Sequence, residues 1–149
     1  MTATLHLIIT TPSEVLLDRD DIAAVRAEDE SGDFGMLPGH LDVLTVLPSS
    51  VLRWHAADGS AGFCAVQRGV LTLRGGQELT VACRQATLGD DLDRLEAEVH
   101  RLRAEEEDTE RRAKVEQTRM HAAAVRRMMQ YLQGDTGPHA TEDLEEFGA

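Results

Sequence analysis

A stretch of 44 residues without glycine or proline fills most of the second half of this 149-residue chain. It runs from Asp90 to Gln133, whereas residues 1–89 contain nine of the twelve glycines and three of the four prolines. Glycine and proline are the residues that most strongly disfavour a helix interior. The sequence therefore predicts two parts that join near Leu88-Gly89-Asp90, a strand-rich part followed by a helical part.

Apolar side chains in the first half of the helical part are spaced for one helix face. Leu92, Leu95, Val99 and Leu102 follow a 3-4-3 spacing, which places them on one stripe. The next two positions in that rhythm are a glutamate and a threonine, and the stripe resumes only weakly beyond them. Two interpretations stay open: two helices joined near residues 106–110, or one long helix with a polar middle.

Residues 1–88 have the pattern of short β-strands separated by turns. Leu5, Leu7 and Ile9 alternate with the residues between them, which is typical of a half-buried strand. Turn-forming groups such as Asp58-Gly59-Ser60 recur along this part, and the charged run at residues 18–21 is interpreted as a further solvated turn. Short strands with regularly spaced turns indicate a β-sandwich or barrel.

The overall charge excludes several classes of function. The formal net charge is −12 and the isoelectric point is about 4.8, which argues against nucleic-acid binding and against a basic membrane-binding surface. The apolar start, MTATLHLIITTP, lacks a basic leader and predicts a first strand rather than a signal peptide. No run approaches the roughly 20 apolar residues of a membrane span. We therefore expect a cytoplasmic protein without membrane insertion.

Charge is divided unevenly within the helical part. Residues 90–110 carry ten acidic and three basic side chains, and residues 111–133 carry six basic and one acidic side chain. In a folded-back hairpin the two halves attract each other, whereas in an extended form the basic half needs an acidic partner. A solvated surface helix is the alternative interpretation, because exposed ion pairs contribute only about 0–1 kcal/mol each.

The sequence contains no recognisable catalytic, metal or cofactor motif. Phosphate loops, a GxSxG turn and an HExxH helix are missing, and the six histidines are scattered. Cys64 and Cys83 lack CxxC spacing and are interpreted as reduced, half-buried strand residues. These observations favour a binding or structural protein over an enzyme, with no cofactor and no metal.

One tight bend stands out among the turns, in residues 32–47, which read GDFGMLPGHLDVLTVL. Its three glycines allow backbone angles that a side chain would forbid, and Pro38 fixes one dihedral angle beside an exposed His40. The stretch resembles the pattern GxLGIxPGHxPLLTxL of the epsilon subunit of F-type rotary ATP synthases. Segments like LHLIITTPSEVLL, IAAVRAED and FCAVQRGVLTLRGGQELTVACRQA follow the family's order, and the resemblance extends from residue 4 to about residue 100.

This resemblance implies a fold and a set of partners. The fold would be α+β, a flattened antiparallel β-sandwich of about ten strands (residues 1–88) followed by a helical hairpin (residues 89–133) and an acidic, disordered tail (residues 134–149). The chain would be a non-catalytic subunit of the central stalk, a rotor element on the cytoplasmic face of the inner membrane. Its sandwich would bind the gamma subunit and the ring of c subunits. The bend would supply the c-ring contacts, through Asp33, Gly35, Pro38, Gly39 and His40.

The family also implies a regulatory role for the helices, which can extend into the catalytic head and hinder ATP hydrolysis. The basic half would then contact an acidic loop of the beta subunit transiently. Its residues for that contact would be Arg111, Arg112, Arg119, Arg126 and Arg127.

One family motif is degenerate in this chain. Some bacterial epsilon subunits bind ATP through a segment like [IL]DxxRA, and the corresponding segment here is LDRLEA. Leu92, Asp93 and Ala97 match, but Glu96 replaces the arginine. An anion in place of a phosphate-pairing cation should repel a nucleotide, so we expect weak ATP binding or none. Asp42 also departs from the family pattern, which usually has proline there.

Two other interpretations compete with the stalk subunit. The chain could be a stand-alone β-sandwich adaptor with a helical dimerisation arm, because a 3-4-3 stripe suits a coiled coil equally well. It could also be a small enzyme that uses His40 with Asp33 or Asp42. Co-purification with gamma separates the first alternative from the stalk subunit, and a hydrolase assay of a His40 variant tests the second.

Overall fold

The computed structural model describes residues 3–134, in which seven strands precede one helix. The predicted α+β class is confirmed, with the β domain first and the helical part last. The predicted acidic tail lies outside the described residues, apart from Gly134. The elements are β1 (Leu5–Thr10), β2 (Val15–Asp29), β3 (Gly32–Met36), β4 (Val43–Leu47), β5 (Ser50–Ala56), β6 (Ala61–Arg74), β7 (Glu78–Gly89) and α1 (Leu92–Gly134).

Five strands close into a ring. The order is β1-β7-β6-β5-β2, and β2 pairs again with β1, while β3 pairs with β2 and β4 with β6. The strand pairs in the described part of the chain are antiparallel except for β1 and β7, which run parallel. The result is a barrel-like sandwich. Because the ring is closed, each of its five strands pairs with a neighbour on both sides over at least part of its length.

The described strands number seven rather than about ten, because long strands run through positions that have turn chemistry. β2 is 15 residues long and includes the charged run at residues 18–21, so the turn predicted there is wrong. Strand geometry is tolerated at this run because none of its four side chains is buried, and three of them have hydrogen-bond partners. His6 Nε2 on β1 lies 2.5 Å from Asp18 Oδ1, and Arg19 donates to the Asp21 carboxylate at 2.6 Å.

β6 also continues through a local irregularity, at Arg68 and Gly69. Arg68 has φ of 42°, in the left-handed region, and Gly69 follows it inside the strand. The pairing register with β7 is the same on both sides of this point. A Cβ on Gly69 would approach the Ala82 carbonyl oxygen to 2.8 Å and Cys83 Cβ to 3.0 Å, so the close approach of these strands requires glycine.

The main core is aliphatic, as the low aromatic content of 3% requires. Leu5, Leu7 and Ile9 on β1 are fully buried, which confirms their predicted inward face. Trp54, the one tryptophan of the chain, joins them with 5% of its surface exposed. The other buried members are Ile22, Val25, Ala27, Met36, Leu47, Leu52, Ala56, Cys64, Val66, Leu71, Leu73, Leu79, Val81 and Cys83.

Both cysteines belong to this core. They are free thiols with exposed fractions of 0% for Cys64 and 6% for Cys83, so they are buried rather than half-buried. Burial raises the pKa of the Cys64 thiol to about 12 and also raises the pKa of Cys83. Both side chains therefore behave as small apolar groups at neutral pH.

The helical part is a single helix of 43 residues, which corresponds to the second of the two interpretations left open above. The hairpin expected from the family resemblance is not found in residues 92–134. The polar middle remains helical because nothing in it terminates a helix, and i,i+4 ion pairs support it. Arg101 pairs with Glu105 at 2.8 Å, and Arg112 with Asp108 at 3.0 Å. The chain divides into two compact units, and the first of them ends at Glu105.

Candidate functional site

The bend at residues 37–42, between β3 and β4, is held in shape by backbone hydrogen bonds. Gly39 has φ of 87°, which a side chain would disfavour. The His40 amide donates to the Leu37 carbonyl oxygen at 3.1 Å, and the Gly39 amide donates to the Gly76 carbonyl oxygen at 2.9 Å. The second bond joins the bend to the turn between β6 and β7.

This turn packs directly against the bend. Gly76 has φ of 66°, and a Cβ there would lie 2.7 Å from Gly39 Cα. The Gly75 amide donates to Asp42 Oδ1 at 2.8 Å, which gives a physical role to the aspartate that departs from the family pattern. We call the two loops together, residues 37–42 and 74–77, the docking corner.

The polar side chains of the docking corner are engaged with backbone groups rather than with each other. The ring of His40 is exposed, and its Nδ1 lies 2.7 Å from the Leu41 carbonyl oxygen. The Asp42 carboxylate accepts from Gly75, as described above. Since neither hydrogen bond joins the imidazole to a carboxylate, the geometry gives no support to a His40–Asp42 acid–base pair.

A cluster of exposed aliphatic side chains adjoins the docking corner, and we call it the aliphatic patch. Leu41 is 84% exposed, Leu44 75% and Val46 67%. Leu44 and Val46 lie on the same face of β4, and Val46 is the register partner of Val70 on β6. Clustered exposed apolar residues of this kind are typical of protein interaction surfaces. The patch consists of Leu44, Val46 and Val70, and Leu37 and Leu41 of the docking corner are strongly exposed as well.

Asp33 belongs to a different surface from His40. It lies on β3 and lines a cleft of about 400 Å³ formed by β2, β3, β5 and the first turns of α1. Basic groups in this cleft include Arg26, Arg53, His100 and Arg103. The structure thus places His40, Pro38 and Gly39 in the docking corner, whereas Asp33 faces the cleft and Gly35 lies in β3 opposite Arg26.

The first turns of α1 are packed on the sandwich by apolar contacts. Leu95 and Val99 are buried with Ala65 of β6, and Val51 and Phe63 pack against them. Since neighbours of Ala65 in β6 point into the main core, the helix covers the outer face of the strand. The predicted apolar stripe is therefore buried at its centre, while Leu92 and Leu102 are only partly buried.

Ion pairs flank this apolar contact. Arg53 on β5 pairs with Glu96 at 2.8 Å, and Arg103 pairs with Glu28 on β2 at 3.0 Å. Arg103 also donates through Nε to the Ser49 carbonyl oxygen at 2.6 Å. Glu96, the residue that replaces arginine in the degenerate nucleotide motif, is thus a partner of the sandwich. Each pair is more than a third exposed, so we expect about 0–1 kcal/mol from each.

The remaining motif residues lie at the start of α1. Asp91 caps the helix, since its carboxylate accepts from the Asp93 and Arg94 amides at 3.1 and 3.4 Å. Leu92 and Asp93 occupy the first turn, and Ala97 is exposed. Leu92, Asp93 and Ala97 carry no cation, and the one arginine within the segment, Arg94, lies two positions before Glu96.

The basic segment of α1 presents a solvent-exposed surface. Arg111, Arg112, Arg119, Arg126 and Arg127 are all exposed. Large apolar side chains on the same segment are exposed as well, among them Met120, Met128, Tyr131 and Leu132. Within residues 3–134 no three histidine, cysteine, aspartate or glutamate side chains come together as a metal site, and no described helix is long and apolar enough to span a membrane.

A closed β domain with an apolar patch beside a glycine-built corner, followed by a C-terminal helix, defines a protein of the β-sandwich class with a helical C-terminal part. Residues 4–89 match the family model for the "ATP synthase, Delta/Epsilon chain, beta-sandwich domain". The chain belongs to this family, and the predicted resemblance is confirmed.

Curated relatives extend the match over nearly the whole chain. The chain is 50% identical to "ATP synthase epsilon chain 2" of Paraburkholderia xenovorans, over 92% of this chain and 99% of the relative. It is 45% identical to "ATP synthase epsilon chain 2" of Cereibacter sphaeroides, over 96% and 98%. The match therefore includes the helical part as well as the sandwich.

Two solved structures share the fold. A chain of the Euglena gracilis mitochondrial ATP synthase superposes with a TM-score of 0.57 at 20% identity, over 68% of this chain and 65% of that chain. A chain of the Tetrahymena thermophila mitochondrial ATP synthase central stalk and c ring gives a TM-score of 0.50 at 14% identity, over 56% and 66%. The chain thus spans slightly less than two thirds of each of these two chains.

Proposed function

We propose that this chain is a non-catalytic central-stalk subunit of an F-type ATP synthase, which binds gamma through the aliphatic patch and faces the c ring with the docking corner. Family membership supports the assembly, and the aliphatic patch is the observation that carries the docking surface. As a part of that assembly the chain would lie at the cytoplasmic face of the inner membrane, attached through its partners.

We expect the patch to be covered by a permanently bound partner rather than exposed to solvent. Leu44 and Val46 expose most of their surface on one strand face, and apolar surface removed from water contributes about 25 cal/mol per Å². The adjoining corner is rigid, because its two loops are joined by the Gly39–Gly76 and Gly75–Asp42 hydrogen bonds. A rigid apolar surface can bind without a large loss of conformational entropy.

The docking surface is tested by a matched pair of variants. Val46→Asp places a charge in the patch, and Val15→Asp places the same charge on β2, where Val15 is exposed to a similar extent, 60% against 67%. We expect Val46→Asp to abolish co-purification with gamma and Val15→Asp to leave it unchanged. Retention of gamma by the Val46→Asp variant would refute the assignment of this surface.

The c-ring contact is proposed for the bend residues, and Asp33, which lines the separate cleft, is proposed as a second contact; both would act through hydrogen bonds and charge rather than acid–base chemistry. His40→Ala should weaken binding of the gamma–epsilon complex to the c ring without affecting gamma binding. A c-ring affinity that is unchanged in both His40→Ala and Asp33→Asn would remove these residues from the interface.

We further propose that the basic segment of α1 restrains ATP hydrolysis by contacting the beta subunit. A truncation that tests this role has to retain Leu95 and Val99. A chain that ends at residue 90 would expose Ala65 and destabilise the sandwich. A chain that ends at Glu105 keeps the first compact unit. It should retain gamma and raise hydrolysis by the assembled head. Unchanged hydrolysis would contradict the regulatory role alone.

Nucleotide binding is not expected, because Glu96 is an anion that already pairs with Arg53. Calorimetric titration of the purified chain with Mg-ATP should show no saturation at millimolar concentrations. Saturation at or below that range would contradict the electrostatic argument.

A further inference from the structure

The basic segment of α1 carries basic and apolar side chains on different sides of the helix. Arg112, Arg119 and Arg126 follow each other at seven-residue spacing, so they lie along one side of the helix. The 3.6-residue period places Met120 and Tyr131 on the neighbouring side. Arg127 lies between the two stripes on the same helical projection.

The apolar stripe ends in a groove near the end of the helix. The groove is lined by Ala124, Arg127, Met128, Tyr131 and Leu132. Its apolar members are strongly exposed, with values of 67% for Met128, 81% for Tyr131 and 74% for Leu132. A helix with such a stripe gains stability mainly by burying it, so this surface fits a short apolar segment that carries negative charge.

The chain itself contains such a segment beyond the described residues. Residues 135–149 hold five acidic side chains and no lysine or arginine. Two large apolar residues, Leu144 and Phe147, lie within its most acidic run, residues 142–147. The negative charge of this run complements Arg127, and its two apolar side chains match the apolar lining of the groove.

We propose that residues 141–147 fold back onto α1, with Leu144 and Phe147 in the groove and the neighbouring carboxylates at Arg127. The proposal rests on this surface and this segment, not on the proposed stalk function. In the free protein the acidic run covers the groove and Arg127, and any other partner of the groove has to displace it.

The length of the intervening chain permits this contact. Leu144 is ten residues beyond Gly134, which allows a reach of up to about 33 Å in an extended chain. The groove lies within roughly 15 Å of the helix end, since Ala124 is ten residues before Gly134 at about 1.5 Å per residue. Gly137-Pro138 lies between them, a pair typical of chain reversals.

A second copy of the chain is a poorer occupant than the acidic run. Its own residues 111–133 carry six basic side chains and one acidic side chain, so two such segments repel each other. The acidic run is also tethered, which gives it an effective concentration of about millimolar for a short flexible connection.

The contact can be tested in the full-length chain with a nitroxide spin label attached to Gly148→Cys. Cys64 and Cys83 need no replacement, since both thiols are buried. We expect loss of the backbone amide signals of residues 124–132 in nuclear magnetic resonance spectra. Signals of residues 111–115 should be retained. The loss should be reversed in 1 M salt, where the Debye length is about 3 Å.

Matched variants separate specific docking from general attraction. Arg127→Glu should restore the lost signals, while Arg126→Glu, which changes the net charge equally on the opposite face of the helix, should not. Leu144→Ser with Phe147→Ser keeps every charge and should also restore them. Circular dichroism of each variant checks that α1 is retained.

Three outcomes would overturn the proposal. The first is full signal at residues 124–132 in the labelled wild-type chain. The second is signal loss that persists in the Leu144→Ser, Phe147→Ser variant, which would mean attraction by charge alone. The third is loss that arises in a mixture of spin-labelled unenriched chain and unlabelled ¹⁵N-enriched chain, which would assign the groove to a second copy.

Discussion

Replacement of Gly76 by alanine tests the packing on which the docking corner depends. A Cβ at this position would lie 2.7 Å from Gly39 Cα and 2.9 Å from Gly39 N, closer than backbone atoms tolerate. Gly39 is itself fixed, since its amide donates to the Gly76 carbonyl oxygen. The two loops would therefore have to separate, and this cost adds to that of a side chain in a left-handed conformation.

Two other glycines with positive φ allow the steric cost of the contact and the cost of the left-handed conformation to be measured separately. Gly75 has φ of 61° and Gly59 has φ of 87°, but a Cβ at either would meet no atom within 4 Å. Gly75→Ala and Gly59→Ala should each cost about 1–2 kcal/mol, the penalty of the left-handed region alone. Gly76→Ala should cost a further 1–3 kcal/mol or so, the usual price of overpacking.

The assay is urea denaturation followed by the fluorescence of Trp54, which is 5% exposed and reports the unfolding of the sandwich. The expected order of stability is wild type, then the two controls, then Gly76→Ala. If Gly76→Ala costs the same as the controls within about 0.5 kcal/mol, the margin within which independent effects are resolved, the close contact between the two loops does not exist in solution.

Three further predictions use the same structure. Leu95→Ala should cost about 2–3 kcal/mol, near the lower end for buried leucines because the residue belongs to a small cluster; an unchanged urea midpoint would mean that the first turns of α1 are not docked. Cys64 and Cys83 should not react with a thiol reagent at pH 8 until the protein is unfolded, since burial raises both pKa values; rapid labelling of the native chain would contradict their burial. The pKa of Asp29 is lowered first by the Ser31 side chain and then by Thr45, so its stabilising effect is present above the unfolded value near 3.8 and is lost as the pH falls through the lower folded value. The stability difference between wild type and Asp29→Asn should shrink correspondingly in acid, and a difference independent of pH would refute the assignment.

Local periodicity was enough to predict the inner faces of the elements. Alternation identified β1, and 3-4-3 spacing identified Leu95 and Val99 as the side of α1 that packs on the sandwich. These patterns are properties of single elements, because a side chain's direction follows from its position along a strand or helix. They needed no knowledge of distant residues.

Strand number and loop contacts could not be predicted in the same way. The charged run at residues 18–21 has turn chemistry, yet it lies in a strand that pairs with β1, where His6 contacts Asp18. Similarly, nothing near Asp42 in the sequence indicates that it binds the Gly75 amide 33 residues away. Such contacts depend on which strands become neighbours, and local propensity is only a weak guide to that choice.

The same distinction applies to the helix. Helix-forming residues extend along its whole length, but only its first turns contain buried side chains. Leu95 and Val99 are buried, whereas no described residue after Val99 is. Burying one leucine or valine side chain contributes about 1.5–3 kcal/mol, so undocking the first turns of α1 would cost several kcal/mol. Moving the described residues beyond Glu105 would have no such cost, because none of their side chains is buried. A conformational change in the helical part is therefore expected to begin after Glu105, where intrinsic helix propensity continues and tertiary packing does not.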